Sequence, residues 1–120
     1  MGMGEPFLNY PQVKEAINIL TAQKKLDLSS RRVTISSCGI VPGIRKFTED
    51  FPQVSLAISL HAPNDIARSS IMPVDHSYPL KDLMASLDEY CEATNKRVFY
   101  EYIMISGVTD KLEYMQELAD

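Results

Sequence analysis

The chain has 120 residues, with 12 Lys and Arg against 16 Asp and Glu for a formal net charge of −4, and 45% of its residues are hydrophobic. That is material for one globular core, and its mild acidity argues against binding nucleic acid mainly through bulk electrostatics. The longest nearly charge-free run, residues 54–63, is strand-sized and well short of the roughly 18 apolar residues of a membrane span; no secretory signal opens the sequence, and two cysteines, Cys38 and Cys91, suit a reducing cytoplasm.

After Pro11, Val13, Ala16, Ile17 and Leu20 recur at helical spacing with Lys14, Glu15 and Asn18 opposite, which predicts a helix. The pairs Lys24-Lys25 and Arg31-Arg32 read as solvated element ends rather than phosphate contacts. Over residues 32–37, Val33 and Ile35 alternate with Thr34 and Ser36 as in a strand, closed by Gly39 and Pro42-Gly43, and a short helix over 44–50 stops at Pro52. From 54 to 61 the alternation is regular: Val54, Leu56, Ile58 and Leu60 on one face, Ser55, Ala57, Ser59 and His61 on the other. Asn64-Asp65 reads as the N-cap of a short helix ending before Pro73, in preference to a ligand contact. Leu80, Leu83, Met84, Leu87 and Cys91 mark a longer helix, residues 97–105 a strand, and Thr109-Asp110 the cap of a last helix carrying Leu112, Met115 and Leu118.

Alternating strands and helices predict an α/β fold with a parallel sheet. A full (β/α)₈ barrel takes about 250 residues, so the pattern reads as a piece of a larger protein that begins at the end of a strand. Strand ends at the C-terminal edge of such a sheet converge on one site. Four fall at residues 2–6, 36–39, 59–65 and 105–110, all rich in Gly, Ser, Asn or Asp, residues that also simply make turns. Neither a dinucleotide fingerprint nor a P-loop occurs. His61 and His76 lack zinc-site spacing, Cys91 belongs to an apolar stripe, and no nucleophile elbow supports a triad of Ser59, His61 and Asp65. Glu101 interrupts an apolar strand; it either turns inward with Phe99 and Ile103 and needs a partner, or sits in an exposed or ion-paired edge.

Met1-Gly2-Met3-Gly4-Glu5-Pro6 with Asn9, the run from Arg31 to Pro42, the run from Leu56 to Asp65 with Met72-Pro73, and Tyr100 to Met104 with Gly107-Val108 and Asp110 together resemble the RlmN/Cfr family of radical S-adenosylmethionine (SAM) adenine methyltransferases. The resemblance covers essentially all 120 residues in order. It implies a partial radical SAM barrel, running roughly from the end of strand 3 to helix 6, with residues 1–120 forming the central part of the core domain. It places SAM contacts on Gly4 and Glu5, on Ser36, and on Ser59, Leu60 and His61. It also implies a 4Fe-4S cluster, an electron donor such as flavodoxin, and rRNA and tRNA as substrates in the cytoplasm. The family's CxxxCxxC cluster motif, its methyl-carrying cysteine, its second catalytic cysteine and its N-terminal RNA-gripping domain are not in these residues. No catalytic residue and no metal ligand is therefore expected in this segment, and alone it is expected to be inactive. Carbon 2 of adenine is the expected methylation position, carbon 8 the alternative, and a non-catalytic truncated α/β module the rival from another class.

Overall fold

Two prolines set the first turns. Pro6 opens a 3₁₀ turn over Pro6–Asn9 and Pro11 lies in the first turn of helix α1 (Tyr10–Thr21), positions where a missing N–H costs nothing. The computed structural model describes residues 3–119. Strand β1 (Thr34–Ser37), helix α2 (Val41–Asp50), strand β2 (Ser55–Ser59), helices α3 (Asp65–Ile71) and α4 (Leu80–Thr94), strand β3 (Phe99–Glu101) and helix α5 (Leu112–Ala119) follow. The sheet is parallel in the order β1-β2-β3, with Ser36 beside Ala57 and Ser59 beside Glu101. The predicted α/β class with a parallel sheet is the fold observed.

Register gives the sheet two unlike faces, because residues paired in a parallel ladder point the same way. Ile35, Leu56 and Ile58 face α2 and α4, where Ile44, Phe47, Leu83, Leu87 and Tyr90 complete the core. Phe47 is fully buried, with the Phe7 ring centroid 5.5 Å away and that of Tyr90 6.4 Å away. The opposite face carries Thr34, Ser36, Ser55, Ala57, Ser59 and Glu101, with the exposed Phe99 beside Ala57 on β3.

Several boundaries differ from the sequence pattern. Residues 30–32 form a 3₁₀ turn, so β1 starts at Thr34. Helix α2 starts at Val41 because Pro42 and Gly43 open it instead of closing the strand. Met84 lies at the rim while Tyr90 takes the buried place on α4. Strand β3 stops at Glu101, since the next backbone groups bond to side chains: Ile103 N–H to His61 Nδ1, Ile105 N–H and the Ile103 carbonyl to the Thr109 hydroxyl. Thr109 and Asp110 thus close that turn rather than cap α5, whose Leu112 is 85% exposed. The strand end predicted at residues 2–6 lies partly outside the described residues, and its described part, Met3 to Pro6, is bend and the start of the 3₁₀ turn rather than strand.

Candidate functional site

Glu5 organises the site. Its Oε1 accepts hydrogen bonds from Phe7 N–H (3.0 Å) and the Ser37 hydroxyl (2.8 Å), and its Oε2 accepts from Cys38 N–H (2.7 Å). One carboxylate therefore caps the first turn and fastens it to the C-terminal end of β1. Gly4 precedes it with φ +98°, a conformation disfavoured for residues with a Cβ, and the space beside its Cα is open. Between this loop and the polar sheet face lies a cleft of about 620 Å³, lined by Gly4, Glu5, Thr34, Ser36, Cys38 and Ser59 among others. That volume is in the range of small-molecule sites.

Of the six predicted contacts, Gly4, Glu5, Ser36 and Ser59 line this one cleft, whereas Leu60 and His61 stand beyond its wall. Leu60 is buried and His61 half-buried, and both amides donate to the Glu101 carbonyl, at 3.0 and 3.1 Å. The His61 backbone is left-handed (φ 61°), so its side chain leaves the alternation of β2. Its Nδ1 accepts from Ile103 N–H at 3.2 Å, which puts the neutral ring's proton on Nε2. Burial, reinforced by the Arg68 charge and opposed by Glu101, holds the His61 pKa below its ordinary value. The Cys38 thiol is pushed up to about 12 by burial and then by Glu5, so it is a protonated wall group rather than a thiolate. Glu101 finds its partner on the polar face: the Ser59 hydroxyl donates to Oε2 at 3.3 Å. Asn64 caps α3 by accepting from Ala67 N–H.

The buried pair Arg68–Asp75 escaped the sequence pattern. Charged residues in a short helix and a turn read as surface, yet Arg68 is 0% and Asp75 4% exposed. Only the apolar neighbours Ala67 and Ile71 hinted that this side of α3 faces inward.

No protein-family model matches the chain. The whole of it is 50% identical to a probable dual-specificity RNA methyltransferase RlmN of Enterococcus faecalis, covering 34% of that protein. Over 118 residues, 98% of the chain, it is 48% identical to a ribosomal RNA large subunit methyltransferase Cfr of Clostridium botulinum, again 34% of the relative. The fold superposes on a radical SAM methyltransferase from Sphaerobacter thermophilus with a TM-score of 0.94 and 44% identity, covering 99% of this chain and 35% of that one. The chain belongs to the RlmN/Cfr family. It spans about a third of the length of the relatives it matches.

SAM and a 4Fe-4S cluster are general features of this family, and the residues treat the two differently. The cleft fits SAM: it offers hydroxyls, an accessible glycine backbone, and a carboxylate with three of its roughly four acceptor positions filled by the protein. It does not fit the cluster. Among the described residues no three His, Cys, Asp or Glu side chains converge where a metal could bind, and the cysteine that lines the cleft is held as a thiol.

Proposed function

We propose that residues 1–120 are the SAM-binding central part of a radical SAM core domain, in a protein that methylates carbon 2 of adenine in rRNA and tRNA. The observation that carries this reading is the match to an RlmN over the entire chain at 50% identity, joined to a polar cleft whose walls include Gly4, Glu5, Ser36 and Ser59. SAM supplies the methyl group and the radical chemistry when bound; these residues bind and orient it. Gly4 lets the ligand approach the backbone, the free acceptor position of Glu5 takes the α-ammonium, and the Ser36 and Ser59 hydroxyls serve its polar groups. Leu60 and His61 act from the adjoining strand end, where the neutral imidazole presents Nε2–H. The cluster ligands, the methyl-carrying cysteine and the RNA grip belong to other parts of the protein. The electron donor is a flavodoxin-type protein, the setting cytoplasmic, and the 120 residues alone are inactive.

The Cfr relatives at 46–48% identity motivate the second reading, methylation of carbon 8. The test is to reconstitute the complete protein anaerobically with iron and sulfide and to analyse nucleosides of treated rRNA and tRNA. We expect 2-methyladenosine from both RNAs. 8-Methyladenosine would move the protein to the second reading, and absence of SAM cleavage would overturn both.

A further inference from the structure

Arg68 lies outside the cleft, on α3, yet its fully buried guanidinium reaches Cys38, which lines the cleft after β1, and Leu60, which follows the cleft residue Ser59 at the end of β2. Nη2 donates to the Cys38 carbonyl at 2.8 Å, Nε to the Leu60 carbonyl at 3.2 Å, and Nη1 to Asp75 Oδ1 at 2.8 Å. A buried ion pair is weak evidence of stabilisation, since an apolar pair of similar volume often does as well. What an apolar pair cannot do is hold two carbonyls from different strand ends at a fixed separation, as a rigid planar fork does. The linkage continues into the site: the amide of Cys38 donates to Glu5 Oε2 at 2.7 Å, and Leu60 precedes His61. We infer that Arg68 is a positioning residue for the ligand cleft, setting the spacing of the loops after β1 and β2 and, through Cys38, the aim of the Glu5 carboxylate. Asp75 neutralises and orients the guanidinium. The ligand part of this inference rests on the SAM reading of the cleft.

Two substitutions in the complete, reconstituted protein separate positioning from stability. Arg68→Lys keeps a cation for Asp75 and loses the fork, whereas Asp75→Asn keeps the fork and loses the charge pair. We expect Asp75→Asn to lower the thermal midpoint while binding SAM within about twofold of wild type, and Arg68→Lys to bind about tenfold more weakly. In ligand-free protein, amides 37–39 and 60–61 should exchange faster in Arg68→Lys than in Asp75→Asn. If Arg68→Lys does not fold, the double change Arg68→Met with Asp75→Leu removes both charges, and it should regain stability while still binding SAM weakly. Affinity that falls in step with stability across the variants, or wild-type affinity in Arg68→Lys or in the apolar pair, would overturn the inference. Should wild-type protein fail to bind SAM, the reading of the cleft fails separately. The exchange comparison then decides the loop positioning: faster exchange confined to Arg68→Lys supports it, and equal exchange overturns it.

Discussion

Glu5 commits most of its hydrogen-bonding capacity to the protein, so substituting it damages the scaffold and the cleft together. Glu5→Ala strips the partly buried Phe7 and Cys38 amides and the Ser37 hydroxyl of their acceptor. The expected cost is about 1–3 kcal/mol, read by denaturant unfolding of the complete protein, with SAM binding lost as well. Unchanged stability would show that water replaces the carboxylate without penalty. His61 makes a pH prediction. Its folded pKa lies below the unfolded 6.5, so the unfolded state takes up the proton first. Stability therefore falls as pH drops below about 6.5 and levels off once the folded ring is itself protonated. Protonation would also break the Nδ1 bond to Ile103 N–H. His61→Asn tolerates the left-handed backbone and can still accept that bond, so its thermal midpoint should decline less than wild type between about pH 7 and 5. Parallel declines would assign the effect to other groups.

Elements built from local periodicity were legible, and those ended by distant side chains were not. The stripes of α1 and α4 and the alternation of β2 are properties of neighbouring residues, so Ile17, Leu83, Leu87, Leu56 and Ile58 are buried as the pattern requires. Strand β3 looked longer because residues 97–105 are rich in β-formers, but His61 and Thr109 bind the backbone that a ladder would have used. Of the four cleft residues, Ser36 and Ser59 were legible as small polar positions alternating with apolar ones, whereas Gly4 and Glu5 were marked only by the resemblance to the RlmN/Cfr family. Arg68 was not, because burial of a cation depends on carbonyls 8 and 30 residues away in sequence. Gly43 tests how tightly the elements meet: a Cβ there would lie 2.5 Å from the Phe7 Cβ, between α2 and the turn that follows Glu5. Ala in a helix normally gains about 0.5–1 kcal/mol over Gly, but this overlap costs about 1–3 kcal/mol. Gly43→Ala should therefore lower the thermal midpoint, and a rise would show that the first turn moves freely away from α2.

At the scale of the molecule, the radius of gyration is 15.3 Å, against about 13.6 Å for a compact domain of this length. Principal extents of 50 × 29 × 23 Å place the excess along one axis. Among the described residues β1 and β3 each pair on one side only, and Phe99, Ile103, Met104 and Leu112 are 49–85% exposed on or after β3. An unpaired strand flanked by apolar side chains is a template for another chain, and a net charge of −4 is modest opposition. The 120 residues expressed alone should therefore self-associate, with light scattering behind a sizing column giving a mass that rises with concentration. Phe99→Lys places a charge on that edge and should shift the population toward monomer. A monomer at every concentration with a cooperative melt would mean that these surfaces are satisfied within a single chain, and that the polar sheet face is stable in water without a covering layer.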